Sequence, residues 1–273
     1  PNYLLLHPEL TPKDSPYKYL AGVGIAYLVG IELTKIHNID NIESDLEDLL
    51  CIGTIADMAP LNGANKFWLK KFITKLKDTN IIGLTALFRL GGIDNKDITA
   101  EDIGFNIAPR LNAVGRLCNP SLVVSLLTEN ESDKAMKLAR ECEQLNRDRR
   151  ILVQGINIEA EAILDVANTS LPPFILIAQD HWHQGVIGIV ASRILEKYNR
   201  PTAILSGIED NLFTGSIRSN NDFSTIDMLN SCSEYLVKYG GHKFAGGFTI
   251  KSQNLGSFHD RVLEYSNDFW KGK

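Results

Sequence analysis

Apolar residues recur along the first half of this chain at intervals of three, four and seven, the rhythm of helices that bury one face. Tyr17 to Leu33 carries small and apolar residues at that spacing behind Pro16, which suits a helix start, and reads as a buried helix. Asp45 to Ile52 runs into Gly53-Thr54-Ile55-Ala56-Asp57-Met58-Ala59-Pro60, a strand or helix end closing on a loop. Helical patterns follow at Lys66 to Lys77, Leu84 to Leu90 and Ala100 to Ile107, ahead of Pro109-Arg110-Leu111-Asn112-Ala113-Val114-Gly115-Arg116. From Glu131 to Val166, Ala135, Leu138, Cys142, Leu145, Leu152, Ile156, Ala160 and Ile163 share one face. They predict a single long amphipathic helix ending near Asn168 to Pro173.

After Pro172-Pro173 the period changes. Phe174 to Ala178 reads as a buried strand, Val186 to Tyr198 as a helix and Thr202 to Ser206 as a second strand. The crossover length suits parallel strands, and such β-α-β units gather ligands at the carboxyl ends of their strands. Leu212 to Ile217 predicts a third strand, Ser224 to Tyr239 a helix with Asp222 as a candidate cap, and Phe248 to Lys251 a closing strand. The fold class is α/β, with a largely helical first part and a sheet in the second.

Composition narrows the setting. With 273 residues and 44% hydrophobic content the chain can bury a full core and divides naturally into two modest domains. No apolar run approaches the roughly 18 residues needed to cross a bilayer, and the first thirty residues lack a signal-peptide pattern, so no membrane is expected and the default address is cytoplasmic. Cys51, Cys118, Cys142 and Cys232 lie far apart without zinc-site spacing and read as reduced thiols. A net charge of −5 argues against coating nucleic acid by general electrostatics and requires a local basic pocket instead; divalent cations would offset the acidic excess. The sequence opens on Pro1 without an initiator methionine, and its extended start has no capping or targeting logic, so it reads as a fragment.

The richest chemistry lies in two glycine-rich stretches of the second part, Gly215-Ser216-Ile217-Arg218-Ser219 and Gly240-Gly241-His242-Lys243-Phe244-Ala245-Gly246-Gly247. Glycine admits an anion close to backbone amides, and hydroxyl, guanidinium and imidazole donors complete a phosphate pocket. On a strand Ser216 and Arg218 project to one face while Ile217 enters the core. A tight structural turn is the competing account of either stretch. His181 and His183 flank Trp182 ahead of Gly185, where a strand turns into a helix whose amides attract anions. His183, nearer the helix start, is the better candidate to face a ligand, and zinc binding by the pair lacks a third ligand. Arg110 and Arg116 bracket Asn112 and Gly115, which suits phosphate recognition or internal salt bridges equally. Asp57 either caps its element or binds a metal. Arg147-Asp148-Arg149-Arg150 forms a solvated helix face or a basic wall for nucleic acid. Gly22-Val23-Gly24 lacks the preceding strand and third glycine of a dinucleotide site and reads as close helix packing.

Taken in order, these segments resemble the DHH phosphoesterase superfamily, and within it the RecJ family of bacterial single-strand-specific exonucleases. The resemblance is carried by Tyr17 to Gly24, Gly53 to Leu61, Pro109 to Arg116, Trp182 to Arg193, Gly215 to Ser219 and Gly240 to His242. It implies the last part of a DHH phosphoesterase domain over 1–130, a long connecting helix over 131–170 and a DHH-associated nucleic-acid-binding domain with a mixed sheet over 171–273. It also implies two manganese or magnesium ions, with Asp57 as a metal ligand, and a two-metal hydrolysis of single-stranded DNA from its 5′ end in DNA repair and recombination. Ser216 and Arg218 match the pocket for the 5′ phosphate; Arg116, and less directly Arg110 with Asn112, are expected to join it. His183, Gly240, Gly241 and His242 match cleft positions near substrate. A narrow cleft would exclude duplex, and a pocket holding the end would enforce stepwise release. The upstream aspartate motifs and the Asp-His-His that names the superfamily are absent, as is the carboxy-terminal oligonucleotide-binding domain, and Gly246 stands where alanine is usual. The chain is therefore expected to be inactive alone. Cleavage of short oligonucleotides or cyclic dinucleotides, and a non-catalytic nucleic-acid-binding module, are the competing readings.

Overall fold

A computed structural model describes residues 4–94, 97–166, 171–220 and 223–271. The chain divides into two compact units, 1–147 and 148–273, with the boundary inside a long helix.

The first unit is helical: α1 (Gly22–His37), α2 (Glu43–Ala56), α3 (Gly63–Phe72), α4 (Ile82–Gly91), α5 (Ala100–Asp102), α6 (Ala108–Leu117), α7 (Ser121–Leu127) and the first half of α8 (Ser132–Val166). Leu50, Leu76, Leu84, Leu87, Ile103 and Ile107 are almost wholly buried at its centre, and α8 adds Ala135, Ala139 and Cys142. Gly53 to Ala56 completes α2, so the strand alternative for that segment is set aside. The helix expected over Tyr17 to Leu33 begins only at Gly22 and continues to His37. Ahead of it the Pro16 carbonyl accepts the Ala64 amide at 3.0 Å, and Tyr17 stacks on Trp68, ties to α3 that hold the chain out of helical conformation. Nor is α1 buried: only Gly24 and Thr34 are, while Leu33 and Ile36 face outward.

The second unit is built on a five-stranded mixed sheet of β1 (Ile175–Gln179), β2 (Thr202–Ile208), β3 (Leu212–Arg218), β4 (Leu236–His242) and β5 (Ala245–Lys251), in the order β1-β2-β3-β5-β4. β1 and β2 are parallel across α9 (Ile187–Tyr198), and the other pairings are antiparallel. Helix α9 packs on β2 and β3 from one side. Phe213, Ile217 and Phe248 point to the other side, where α10 (Thr225–Ser231) and α11 (Leu255–Lys271) supply Met228, Leu229, Phe258 and Val262. The helix expected from Ser224 to Tyr239 stops at Ser231. A short 3₁₀ turn over Ser233–Tyr235 follows, and from Leu236 the backbone is drawn into pairing with β5. The cap of α10 is Ser224, whose hydroxyl accepts the Asp227 amide at 3.3 Å; Asp222 lies outside the described residues, as does the expected helix end at Asn168. No described helix is long and apolar enough to cross a membrane.

Candidate nucleic-acid interface

Strand alternation on β3 sends Phe213, Gly215 and Ile217 into the core and leaves Thr214, Ser216 and Arg218 on the opposite face. Arg218 Nη1 donates to Ser216 Oγ at 3.0 Å and to the Ile217 carbonyl at 2.8 Å, so the two side chains form one polar group. Against them lies the first turn of α9. A Cβ on Gly188 would come within 2.9 Å of both Ser216 Oγ and Arg218 Nη2, so the glycine lets the helix approach with these two groups in place. Hydroxyl, guanidinium and the amino end of a helix thus converge, a combination suited to an anion.

Where α9 ends its cover, the same face continues in the open across β5 and β4. Pairing aligns Ser216 with Gly247 and Gly240, Arg218 with Ala245 and His242, and Thr214 with Thr249 and Lys238. Each row spans about 10 Å, two inter-strand spacings. Gly247 and Gly240 therefore form a side-chain-free trough beside Ser216, with Arg218 and His242 along one wall and Lys238 beyond the other. A depression of about 260 Å³ adjoins the trough on its Lys238 side, lined in part by Thr214, Lys238, Gly247 and Thr249.

The first glycine-rich stretch is not the turn that its composition suggested, whereas the second is a β-hairpin whose turn is Lys243-Phe244, between His242 at the end of β4 and Ala245 at the start of β5. Gly215, Gly246 and Gly247 are interior to β3 and β5, and their amides lie along ladders with strands on both sides. What these strands offer a ligand is room, with side chains as the donors. Gly241 alone requires glycine for its backbone, at φ 153°. Ser219 is buried and bonds the Phe223 carbonyl, Thr225 Oγ1 and the Lys243 carbonyl, so it fastens the end of β3 rather than gripping a ligand.

Both histidines are oriented by the backbone. His183 Nδ1 accepts the Gly185 amide at 3.1 Å, and His242 Nδ1 accepts the Phe244 amide at 3.3 Å. In the neutral ring the proton then resides on Nε2, which each can donate outward. His181 is engaged differently: with Trp182 Nε1 it bonds Glu159 Oε2, both at 2.8 Å, and these two contacts hold Glu159 below the usual carboxylate range. Trp182 is buried, which anchors the loop ahead of α9 to α8.

In the first unit Asp57 ends α2 as its C-cap and is exposed, not enclosed among apolar neighbours as its sequence context implied. The following Met58 takes a left-handed φ of 55° while the Ala59 amide returns to the Thr54 carbonyl at 3.2 Å, and this turn sets the Asp57 position. Asn112, exposed on α6, donates to the Ala56 carbonyl at 3.3 Å. Arg116 is exposed one turn further along. Arg110 is withdrawn from solvent: its Nε sits 2.6 Å from Glu143 Oε2 and its Nη1 bonds the Asn106 carbonyl, the internal salt bridge that was its competing reading. Arg147 takes the other oxygen of Glu143 at 3.0 Å. Among the described residues no three His, Cys, Asp or Glu side chains come together around a possible ion, and Asp57 is a single carboxylate. These residues do not by themselves fit a two-ion centre.

Residues 171–268 match the DHHA1 domain family. The chain is 35% identical to the single-stranded-DNA-specific exonuclease RecJ of Bacillus subtilis (strain 168), over 97% of this chain and 33% of that protein. It is 34% identical to the protein of that name from Haemophilus influenzae, over 93% of this chain and 47% of the relative. Among solved structures, RecJ of Thermus thermophilus in complex with Mg²⁺ superimposes with a TM-score of 0.82 at 32% identity, covering 96% of this chain and 40% of that one. An exonuclease RecJ bound to manganese gives 0.79 at 31% identity, covering 98% and 66%. The chain thus spans about a third to a half of the length of these curated relatives. By sequence over nearly its whole length, and by fold, the chain belongs to the RecJ family.

Proposed function

We propose that this chain holds a single strand of DNA by its 5′-phosphorylated end for a hydrolase that releases nucleotides in the 5′-to-3′ direction, in DNA repair and recombination. The observation that carries this reading is the convergence of Ser216, Arg218 and the first turn of α9 at the head of a glycine trough. A terminal phosphate has more charge and more acceptor oxygens than an internal diester, and a guanidinium, a hydroxyl and helix amides are the donors that distinguish it. The strand following that phosphate would lie along the open face past Gly247 and Gly240, with His242 and Lys238 beside its backbone. His183 would donate from Nε2 at the entry to α9. In the first unit, Arg116 and Asn112 would address single-stranded DNA beside Asp57, a carboxylate suited to a divalent-metal centre of the Mg²⁺ or Mn²⁺ type. Arg110 positions α6 through Glu143. What these groups contribute is binding and orientation.

The test is equilibrium binding of matched oligonucleotides with a 5′ phosphate or a 5′ hydroxyl to the 273-residue chain. Charge-assisted hydrogen bonds of this kind contribute about 1.5–3 kcal/mol, so Arg218→Ala should weaken binding of the phosphorylated strand by roughly tenfold or more. Binding of the hydroxyl form should change little. An unchanged preference for the phosphate would overturn the assignment.

A further inference from the structure

From Ala100 to Leu117 the chain is one continuous helical run, yet its middle, Ile103–Ile107, is a π turn in which the Ala108 amide reaches back to the Ile103 carbonyl. The cause lies in the sequence. Pro109 has no amide hydrogen to give the preceding turn, and its ring would clash with the carbonyl four residues back, that of Phe105. Widening the turn relieves the clash. The consequence falls on Phe105: Ile103 and Ile107 on either side are fully buried, while the Phe105 ring is 75% exposed.

That ring is part of a stripe. Phe105, Pro109, Asn112 and Arg116 follow one another at intervals of four, three and four, with Pro109 half-buried and the others exposed, while Ala108, Ala113 and Val114 line the buried side. The wide turn keeps Phe105 on this stripe, which runs about 17 Å at 1.5 Å per residue. The stripe passes the end of α2: Asn112 holds the carbonyl that precedes Asp57, and Gly104, next to Phe105, packs on Ile55. A solvent-exposed aromatic face therefore shares a line with an amide and a guanidinium, beside the candidate metal-ligating carboxylate. A π face for a base and a cation for the phosphate chain are the two elements of single-strand recognition without sequence preference.

We infer that Phe105, held outward by the π turn that Pro109 imposes, is a base-stacking platform that positions a nucleotide of the single strand alongside Asp57. The inference rests on the strand-binding reading above and adds a residue and a contact to it. It is tested with the whole chain, a short 5′-phosphorylated oligothymidylate, and the same oligonucleotide in abasic form. Phe105→Ala should weaken binding of the intact strand by roughly fivefold to a hundredfold, the range for losing one stacked base. Phe105→Trp should restore it, with indole fluorescence quenched on binding beyond any change in the wild type. The abasic strand should bind Phe105→Ala and wild type alike. Equal affinity of wild type and Phe105→Ala for the intact strand would overturn the inference and leave the strand-binding reading standing, as would equal weakening of intact and abasic strands by Phe105→Ala. Failure of the wild type to bind either strand would overturn both.

Discussion

Glycines that look alike in the sequence do different work. A Cβ on Gly215 would collide with the Phe248 ring across the ladder, whereas a Cβ on Gly240 would meet nothing within 4 Å. Gly215→Ala overpacks the sheet and should lower unfolding free energy by about 1–3 kcal/mol. Gly240→Ala should leave the denaturation midpoint unchanged or slightly raised, since alanine loses less freedom on folding. Its methyl would stand in the trough, so affinity for a single strand should fall severalfold. Thermal denaturation and oligonucleotide binding, measured on both variants, separate the glycine that permits packing from the glycine that makes room. A similar division holds between Arg110, turned inward to Glu143, and Arg116, exposed on the same helix.

Among the helices, α2 carries a group poorly matched to its place. Asp48 is buried on its inner face, and burial, with repulsion from Asp45 and Glu47 added, pushes its carboxyl up to about 6 against the opposing pull of Thr79 and Lys75. The folded-state value lies above the unfolded one. The stabilisation from neutral Asp48 is therefore complete below about pH 4 and is lost as pH rises through about 6. Asp48→Asn keeps the neutral form at every pH. Its unfolding free energy should match the wild type near pH 4 and exceed it at about pH 7.5 by on the order of 2–3 kcal/mol. A pH-independent difference would show that Asp48 does not titrate in this range. Elements with a strong single-faced pattern were legible in the sequence: α8 lies within a residue of its expected start, and the β-α-β unit and the common face of Ser216 and Arg218 follow from periods of about 3.6 and 2. Strand β4 was not, because it is a sheet edge exposed on both sides from Val237 onward and shows no alternation, so the apolar rhythm of α10 ran on through it. Helix α11 has no counterpart among the expected elements, although Phe258, Val262 and Phe269 mark its inner face. Phe105 is likewise absent from the expected site residues, although a proline four residues after an aromatic is a readable signal of a displaced turn.

For the molecule as a whole, a net charge of −5 leaves little general attraction for a polyanion, so the proposed binding would have to come from the few cations at the proposed contacts. With Arg218, Lys238 and Arg116 as those cations, the logarithm of affinity for single-stranded DNA should fall against the logarithm of salt with a slope of about −2, at about 0.7 per neutralised phosphate. Arg218→Ala should reduce that slope by about 0.7. A steep slope unaffected by Arg218→Ala would place the binding elsewhere on the surface.

The glycine pair Gly240 and Gly247 has one more consequence. A trough floored by bare backbone presents no amide, carboxylate or ring that could tell one nucleobase edge from another, and the groups at its rim address phosphate, which is the same in every nucleotide. A strand lying there would be gripped without being read. Every step along the polymer would meet the same surface, so the protein would be indifferent to the genetic message it handles.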